Sequence, residues 1–250
     1  MIRFLAKIRN SLIPKTGLRK YTVYAVGEIL LVMIGILLAL QANNWNENRK
    51  ERDLELQILH EMKLGLEKDV SDIDYNIDAH ERILNSQMII IDWMNNDRPY
   101  HDSLGNHFSI SNNSTVFVSN EGPYATLKQL GIRMVQNDSL RLMIQEVYDL
   151  DFDYYKDHIV MYNDLVFNSW KVVNAPYFEA TKFKFSNPKN TMPPLNPKEL
   201  KSDNNYTYTV KTMAEFNDFY IRKIMRRAFN QGNLLIEMID EELDDRGYYD

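Results

Sequence analysis

One uninterrupted apolar run, YTVYAVGEILLVMIGILLAL at residues 21–40, constrains this chain more than any other feature of its sequence. A helix of about 20 apolar residues is long enough to cross the hydrocarbon core of a bilayer, which is about 30 Å thick. The apolar part of a cleaved signal peptide is shorter, about 7–15 residues, and is followed by small residues two positions apart. Residues 38–44 contain no such pair. The sequence therefore predicts an uncleaved transmembrane helix over residues 21–41.

The charges that flank the run predict its orientation. Because Lys and Arg close to a span are retained in the cytoplasm, we expect residues 1–20 to form a cytoplasmic basic segment, either an amphipathic interfacial helix or a disordered tail. Residues 42–250 then form an exported domain. Tyr21, Tyr24 and Trp45 lie near the ends of the span, where aromatic rings anchor helices at the interfaces. The basic residues of the N-terminal segment are Arg3, Lys7, Arg9, Lys15, Arg19 and Lys20.

The exported part is acidic. The whole chain has 29 basic and 35 acidic residues; with six bases before the span and one acid inside it, residues 41–250 keep 23 bases and 34 acids. A net negative charge disfavours nucleic acid or anionic lipid as the main partner of this part. The chain contains no cysteine, which excludes lipoprotein processing and a disulfide framework.

Glu28 is the charged residue inside the apolar run. An acid at that depth costs about 2.5–3.5 kcal/mol on insertion scales, so it usually faces another helix or water. On a helical wheel it shares one face with Gly35, Ala39 and Ala42, and we call these four residues the transmembrane face. Gly35 and Ala39 form a small-xxx-small pair that allows two helices to approach closely. This face predicts self-association or binding to another membrane protein; the alternative is that Glu28 is protonated or reaches the inner headgroups.

Hydrophobic periodicity predicts an all-α domain after the span. Apolar residues at three- and four-residue steps predict one long amphipathic helix that continues from residue 21 to about residue 96, with Gly65 as its weak point. We expect a short helix between Pro123 and Gly131, and a second long helix that begins at Asp138. The apolar residues of the first pattern are Leu59, Met62, Leu66, Val70, Ile73, Ile77, Leu84, Met88 and Ile91, and those of the second are Tyr148, Phe152, Tyr155, Ile159, Tyr162 and Val166.

Irregular inserts are predicted between the helices. Residues 97–122 are polar and rich in Asn and Ser, which indicates a loop. The alternating stretches at residues 107–110 and 115–118 predict a small hairpin within it.

A proline-rich stretch precedes the last predicted helix. Five prolines within residues 174–211 exclude a regular helix there, and alternation at residues 181–185 and 206–210 predicts short paired strands. Thr212 and Glu215 have the spacing of a capping box and predict the start of the last helix. Together these patterns predict an antiparallel helical bundle with small irregular or hairpin inserts.

The motifs of common enzymes and metal sites are incomplete in this sequence. His60 and Glu61 begin like a zinc-protease helix, but Leu64 stands where the second histidine is required. Asp149 begins an alternation of acids like that of a calcium loop, but Tyr154 replaces the turn glycine. We therefore expect no catalytic residues, no metal, no cofactor and no intrinsic catalysis.

Four basic residues cluster late in the chain. Ion pairs with the acidic stretch Asp149–Asp157 are one use of such a cluster, and an anion-binding patch is the other. The sequence leaves both open. The residues of this basic cluster are Arg222, Lys223, Arg226 and Arg227.

Three short segments resemble the start of a known family. YAVGEI at residues 24–29, IGIL at residues 34–37 and ALQANNWNE at residues 39–47 are similar to the pattern YAxGEIxLVxIGILxALQxNNWNE of a family of uncharacterised single-pass membrane proteins from Bacteroidota. The resemblance is close over about residues 20–50 and looser beyond them. It implies a bacterial inner membrane with a periplasmic C-terminal domain, and it brings no activity and no catalytic residues.

These observations favour a membrane-anchored periplasmic scaffold or sensor that acts through protein–protein interactions. One alternative is a single-span subunit of a proton-driven membrane complex in which Glu28 titrates. The other is a periplasmic ligand-binding protein or hydrolase, which requires an open cleft around His158 or the basic cluster. The sequence names no small-molecule ligand for any of them.

Overall fold

The computed structural model describes residues 18–96, 98–179 and 191–249. Within these ranges the chain is helical and forms no β-strand, and one isolated bridge joins Phe178 to Pro194. The predicted all-α class is therefore confirmed. The predicted interfacial segment lies outside the described residues up to residue 17, as does the strand predicted at residues 181–185.

The chain divides into two compact units between Leu54 and Glu55. The described residues of the first unit form a single helix, which is the beginning of α1, and the second unit contains the other elements. The α-helices are α1 (Leu18–Asn95), α2 (Leu104–Ile110), α3 (Gly122–Leu130), α4 (Asp138–Glu146), α5 (Phe152–Asn168), α6 (Pro197–Ser202), α7 (Asn204–Phe219) and α8 (Arg226–Asp245). Short π-helical turns at Val147–Asp151, Ser169–Val173 and Tyr220–Met225 directly follow α4, α5 and α7.

The helix α1 continues through Gly65 without a break, which confirms the predicted long helix. Glycine lacks a Cβ, and here that allows a close approach, because a Cβ at Gly65 would lie 3.1 Å from the Cβ of Asn120. From residue 55 onward α1 has a buried face, and the apolar residues predicted for it between Leu59 and Ile77 are buried.

Beyond Ile77 the predicted face of α1 is wrong. Met88 is 53% exposed, whereas Ile83 and Ile90 are buried. The buried face keeps its spacing of three and four residues by passing through polar residues, which the apolar pattern alone skips. The polar residues on this face are Asn76, His80 and Gln87.

The predicted hairpin within residues 97–122 is wrong. Residues 107–110 belong to α2, because Leu104 and Phe108 lie one turn apart and bury the same helix face. Phe108 packs its ring 5.9 Å from Trp93 on α1. Residues 113–120 are extended but have no strand partner, and we call them the extended segment.

The predictions for α3 and α4 are confirmed. Pro123 lies in the first turn of α3, where its missing N–H costs nothing, and Gly131 ends the helix with a φ of 104°. Asp138 begins α4, whose N-cap Asn137 accepts hydrogen bonds from the backbone N–H groups of Ser139 and Leu140.

The predicted start of the last helix at Thr212 is wrong, because α7 already begins at Asn204. The side chain of Asp203 accepts a hydrogen bond from the backbone N–H of Tyr206 and caps the helix there. Residues 206–210 are therefore helical and not a strand. Tyr206 and Val210 are buried one turn apart, so tertiary packing outweighs the β propensity of this Thr- and Tyr-rich sequence.

Two apolar clusters fill the second unit. The larger one joins α1 to α4, α5 and α8, and the smaller one joins the end of α1 to α2, α6 and α7. Full burial of one large apolar side chain contributes about 1.5–3 kcal/mol, so these clusters supply most of the driving force for folding. The larger cluster includes Leu59, Met62, Leu140, Ile144, Phe152, Leu235 and Ile239, and the smaller includes Ile90, Trp93, Leu104, Phe108, Leu200 and Tyr206.

Gly232 tests the close packing of α8 against α1 and α5. A Cβ at this position would lie 2.8 Å from the Cγ2 of Val70 and 3.8 Å from the Cζ of Phe152. We expect Gly232→Leu to lower the free energy of unfolding by about 1–3 kcal/mol, because overpacking forces neighbours apart. Urea unfolding of the full chain in detergent, followed by tryptophan fluorescence, measures this loss.

Gly122→Leu is the matched control, since a Cβ at Gly122 would meet no atom within 4 Å. We expect it to change the free energy of unfolding by at most about 0.5 kcal/mol. Equal losses in the two variants would contradict the close approach of α8.

Candidate functional site

The apolar run forms a part of α1 that no other part of the described chain covers. Its most apolar window has a mean hydropathy of 2.5, and none of this window is buried. The core helix of a soluble protein would have such a window mostly buried. The helix is therefore long and apolar enough to span a membrane, and its surface is available to lipid. Because a signal sequence shares this length and composition, retention of the helix stays a prediction.

The transmembrane face lies along one side of α1, and its four residues are exposed. A Cβ at Gly35 would meet no atom within 4 Å, so the notch between Gly35 and Ala39 is open. Among the described residues Glu28 has no hydrogen-bond or ion-pair partner. The structure thus brings these residues together on one face and leaves their polar group without an intramolecular partner.

The predicted aromatic anchors lie on the same helix. Tyr24 and Trp45 are exposed, so their rings are free to reach the interfaces of a bilayer. The side chain of Tyr21 lies outside the described residues. Their role as anchors stays a prediction.

The basic cluster is largely neutralised by carboxylates of the same chain. Arg227 bonds Asp151, which is only 3% exposed and belongs to the acidic stretch that the sequence suggested as a partner. These contacts raise the pKa of Arg227 above its usual value. Lys223 makes none of these ion pairs, so the four cations do not converge on one anion. The ion pairs are Arg222–Asp218, Arg226–Glu81 (2.6 Å), Arg227–Glu146 (2.8 Å) and Arg227–Asp151 (2.6 Å).

A buried polar network that the sequence did not reveal lies within the second unit. His80 and Gln87 on α1 and Asn217 on α7 are completely buried, and Asn76 is 2% exposed. Buried polar groups are costly unless they are hydrogen-bonded, and each of these side chains has partners. The signal in the sequence is positional, because the polar residues of α1 continue the spacing of its apolar face.

His80 lies at the centre of this network. Its Nδ1 lies 2.7 Å from the Oδ1 of Asn217, and its Nε2 lies 3.1 Å from the Oγ1 of Thr115. Since Asn217 also donates from Nδ2 to the backbone carbonyl of His80, its Oδ1 is the acceptor and Nδ1 of the histidine carries the proton. Thr115 then donates to Nε2. The rings of Tyr162 and Tyr220 flank the imidazole at 5.1 and 5.2 Å.

Two amides extend the network along α1. Gln87 donates from Nε2 to the hydroxyl of Tyr162 on α5 and to the backbone carbonyl of Ser111, each at 3.0 Å. Asn76 donates from Nδ2 to the hydroxyl of Tyr155 and to the carbonyl of Val116, each at 3.1 Å. The network therefore joins α1 to α5 and to the extended segment through groups that would be unsatisfied in any other register.

Burial keeps the network uncharged. Desolvation lowers the pKa of His80 to about 4, although its hydrogen bond with Asn217 opposes this shift. Desolvation also raises the pKa values of Tyr155 and Tyr162 above their usual range, opposed by their bonds from Asn76 and Gln87. At neutral pH these groups hydrogen-bond without exchanging protons, so the arrangement orders helices and does not shuttle charge.

A buried acid fixes the other end of the extended segment. Asp69 is 1% exposed and accepts the backbone N–H of Asn120 with both carboxylate oxygens at 3.0 Å. Desolvation raises the pKa of Asp69, and the hydrogen bonds from Asn120 oppose that rise. Because Gly65 contacts the same asparagine, the extended segment is held against α1 at this end by both packing and hydrogen bonds.

The surface of the described residues has open depressions but no cleft at the positions that a hydrolase would need. One depression lies along α1 between Leu64 and Tyr75, and another lies between Glu237 and Tyr249. Neither includes His158 or the basic cluster. Within the described part of the chain no three His, Asp or Glu side chains gather as metal ligands do.

Residues 28–218 match the sequence model of a family described as a family of unknown function, DUF6090. The chain belongs to this family. The DUF6090 match includes the transmembrane face and all residues of the polar network, and it ends one residue after Asn217. The expected family relationship is confirmed to this extent, whereas the bacterial phylum stays a prediction. No curated protein and no solved structure matches the chain.

The low pKa of His80 predicts a pH-dependent stability. A histidine that titrates near pH 4 when folded and near 6.5 when unfolded stabilises the fold fully above pH 6.5, and this contribution is lost as the pH falls towards 4. At about 1.36 kcal/mol per pH unit, the loss is about 3 kcal/mol. Urea unfolding of the full chain between pH 7 and pH 4 measures it.

The difference between wild type and His80→Gln isolates this contribution from that of buried acids such as Asp69. We expect the gap between the two curves to narrow as the pH falls from 6.5 to 4. The control His101→Gln removes an exposed histidine and should leave the pH dependence of the wild type unchanged. A constant gap between wild type and His80→Gln would contradict the burial of a neutral imidazole.

Proposed function

We propose that this DUF6090 protein is a single-pass inner-membrane protein that acts as a scaffold or sensor through protein–protein contacts, without catalysis of its own. Residues 1–20 are cytoplasmic, and residues 42–250 form a periplasmic antiparallel helical bundle. The observation that carries the proposal is the exposed transmembrane face, in which an unpartnered acid lies one turn from an open small-residue notch.

The energetics of the bilayer support a helix as the partner of this face. An acid in hydrocarbon costs about 2.5–3.5 kcal/mol, and a facing helix lowers that cost by accepting or sharing its proton in a hydrogen bond. Gly35 and Ala39 allow two backbones to approach closely, which strengthens both van der Waals packing and the interhelical hydrogen bond. Lipid alone offers Glu28 neither contact.

The polar network supports a structural role for the exported unit. Its hydrogen bonds tie α1, α5, α7 and the extended segment into one register, so a force or contact on one of them is transmitted to the others. A scaffold or sensor needs such rigidity, whereas an enzyme needs convergent polar groups in a cleft. The described surface presents no such convergence at His158 or the basic cluster.

Variants of the transmembrane face test the proposal. We expect Glu28→Leu and Gly35→Leu to weaken association about tenfold, because an interhelical hydrogen bond or close packing contributes about 1–2 kcal/mol in a membrane. Crosslinking in native membranes, followed by detergent pull-down, measures partner recovery and oligomeric state. The control Leu37→Phe adds bulk about 180° from Glu28 at 100° per residue and should not change association. If both face variants keep every partner and the wild-type oligomeric state, the proposed face is wrong.

A fusion of alkaline phosphatase to the C-terminus tests the orientation. The enzyme folds only after export, so we expect it to be active, because the six basic residues before the span hold the N-terminus in the cytoplasm. A fluorescent protein that folds only in the cytoplasm serves as the control at the same position and should be dark. The opposite pattern would place residues 42–250 in the cytoplasm.

A further inference from the structure

We propose that residues 43–53 pair with the same residues of a second copy of this chain, as a short parallel coiled coil directly outside the membrane. We call these residues the neck. The inference rests on the proposed function for its membrane anchor, because two copies inserted with one topology must lie parallel. It goes further in naming the partner and in extending the contact beyond the bilayer.

The neck has no covering within the described chain. Every residue from 43 to 53 is helical and exposed, and the ion pair printed on the neck itself by the structure is Lys50 with Glu47 at 3.2 Å. A helix that is polar on all sides is rarely stable alone. Asparagine is also a poor helix former, about 0.6 kcal/mol worse than alanine, and the neck contains Asn43, Asn44, Asn46 and Asn48. The neck therefore needs a neighbour to remain helical.

The spacing of the neck residues selects one seam. Ala39, Ala42, Asn46, Arg49 and Asp53 follow one another at steps of three and four, which is the spacing of core positions in a two-stranded coiled coil. The small residues continue the notch of the transmembrane face to the membrane surface. In a parallel pair Asn46 meets its own copy, and a pair of buried asparagines fixes both register and a two-stranded state.

Charge complementarity favours a second copy as the occupant of this seam. In a parallel pair Arg49 of one chain lies one turn from Asp53 of the other, so the same ion pair forms twice across the seam. The structure gives neither residue an ion pair within the described chain. The opposite side of the neck carries Glu47 and Glu51, and like charges would meet there if two copies paired through it. The seam through Asn46 is the self-complementary one.

A cysteine scan tests the neck directly, since the natural chain contains no cysteine and each variant has a single thiol. Full-length single-cysteine variants are placed in native membranes and oxidised with copper phenanthroline, and the disulfide-linked dimer is measured on a non-reducing gel. Disulfides require Cβ atoms about 4 Å apart, so crosslinking reports the facing side of the helix. The seam variants are Ala42→Cys, Asn46→Cys, Arg49→Cys and Asp53→Cys, and the matched controls are Asn44→Cys, Asn48→Cys and Glu51→Cys.

We expect dimer yields at the seam positions to exceed those of the controls at least about fivefold. Uniform yields, or no dimer at any position in membranes that contain the inserted protein, would overturn the neck. Asn46→Cys combined with Asp53→Arg should lose most of its dimer, and the further change Arg49→Asp should restore it. Failure of that restoration would show that Arg49 and Asp53 do not face each other.

One further arm separates the neck from the proposed function. Ala39→Cys reports contact inside the bilayer, and Asn46→Cys reports contact outside it. Dimer at residue 39 with none at residue 46 would overturn the neck and leave the transmembrane face intact. Dimer at residue 46 that survives Gly35→Leu would support the neck and count against the transmembrane face. Dimer at both positions supports both.

Discussion

The second unit depends on one constraint, namely that every polar side chain on the buried face of α1 must be hydrogen-bonded by a different element. Leaving one such group unsatisfied costs about 1–3 kcal/mol, which is a large share of a marginal folding free energy. Apolar packing alone would allow helices to slide by a turn, but paired amides, carboxylates and imidazole do not. From one end of this face to the other the pairs are Glu55 with Gln136 and Arg246, Asp69 with Asn120, Asn76 with Tyr155, His80 with Asn217, and Gln87 with Tyr162.

The same helix carries opposite solutions to burial in its two units. In the second unit the polar residues of α1 are enclosed and satisfied by their own chain, whereas in the first unit Glu28 and the apolar residues around it are exposed and have no intramolecular partner. An enclosed polar group specifies a fold, and an exposed group on an apolar helix specifies a partner or a lipid environment. This contrast is the reason for placing interaction in the first unit and structural support in the second.

Much of the fold was predictable because hydrophobic periodicity is a local property. The length of α1, the bounds of α3 between Pro123 and Gly131, and the apolar face of α5 follow from spacing and caps that neighbouring residues determine. Two predictions failed where local signals were balanced. Residues 107–110 and 206–210 alternate as strands do, and their helical state depends on Phe108 and Tyr206 entering a shared cluster that no local pattern contains.

The sequence by itself determined the apolar span, the acid within it and the helical class, because length, charge and period are written along the chain. Only the tertiary structure decided which residues of α1 after Ile77 are buried and what His80 and Gln87 bond. A polar residue at a buried helix position looks the same in sequence as one at the surface, and its partners lie more than seventy residues away in the chain. The physical reason is that hydrogen-bond satisfaction is a property of pairs brought together by folding and not of either residue alone.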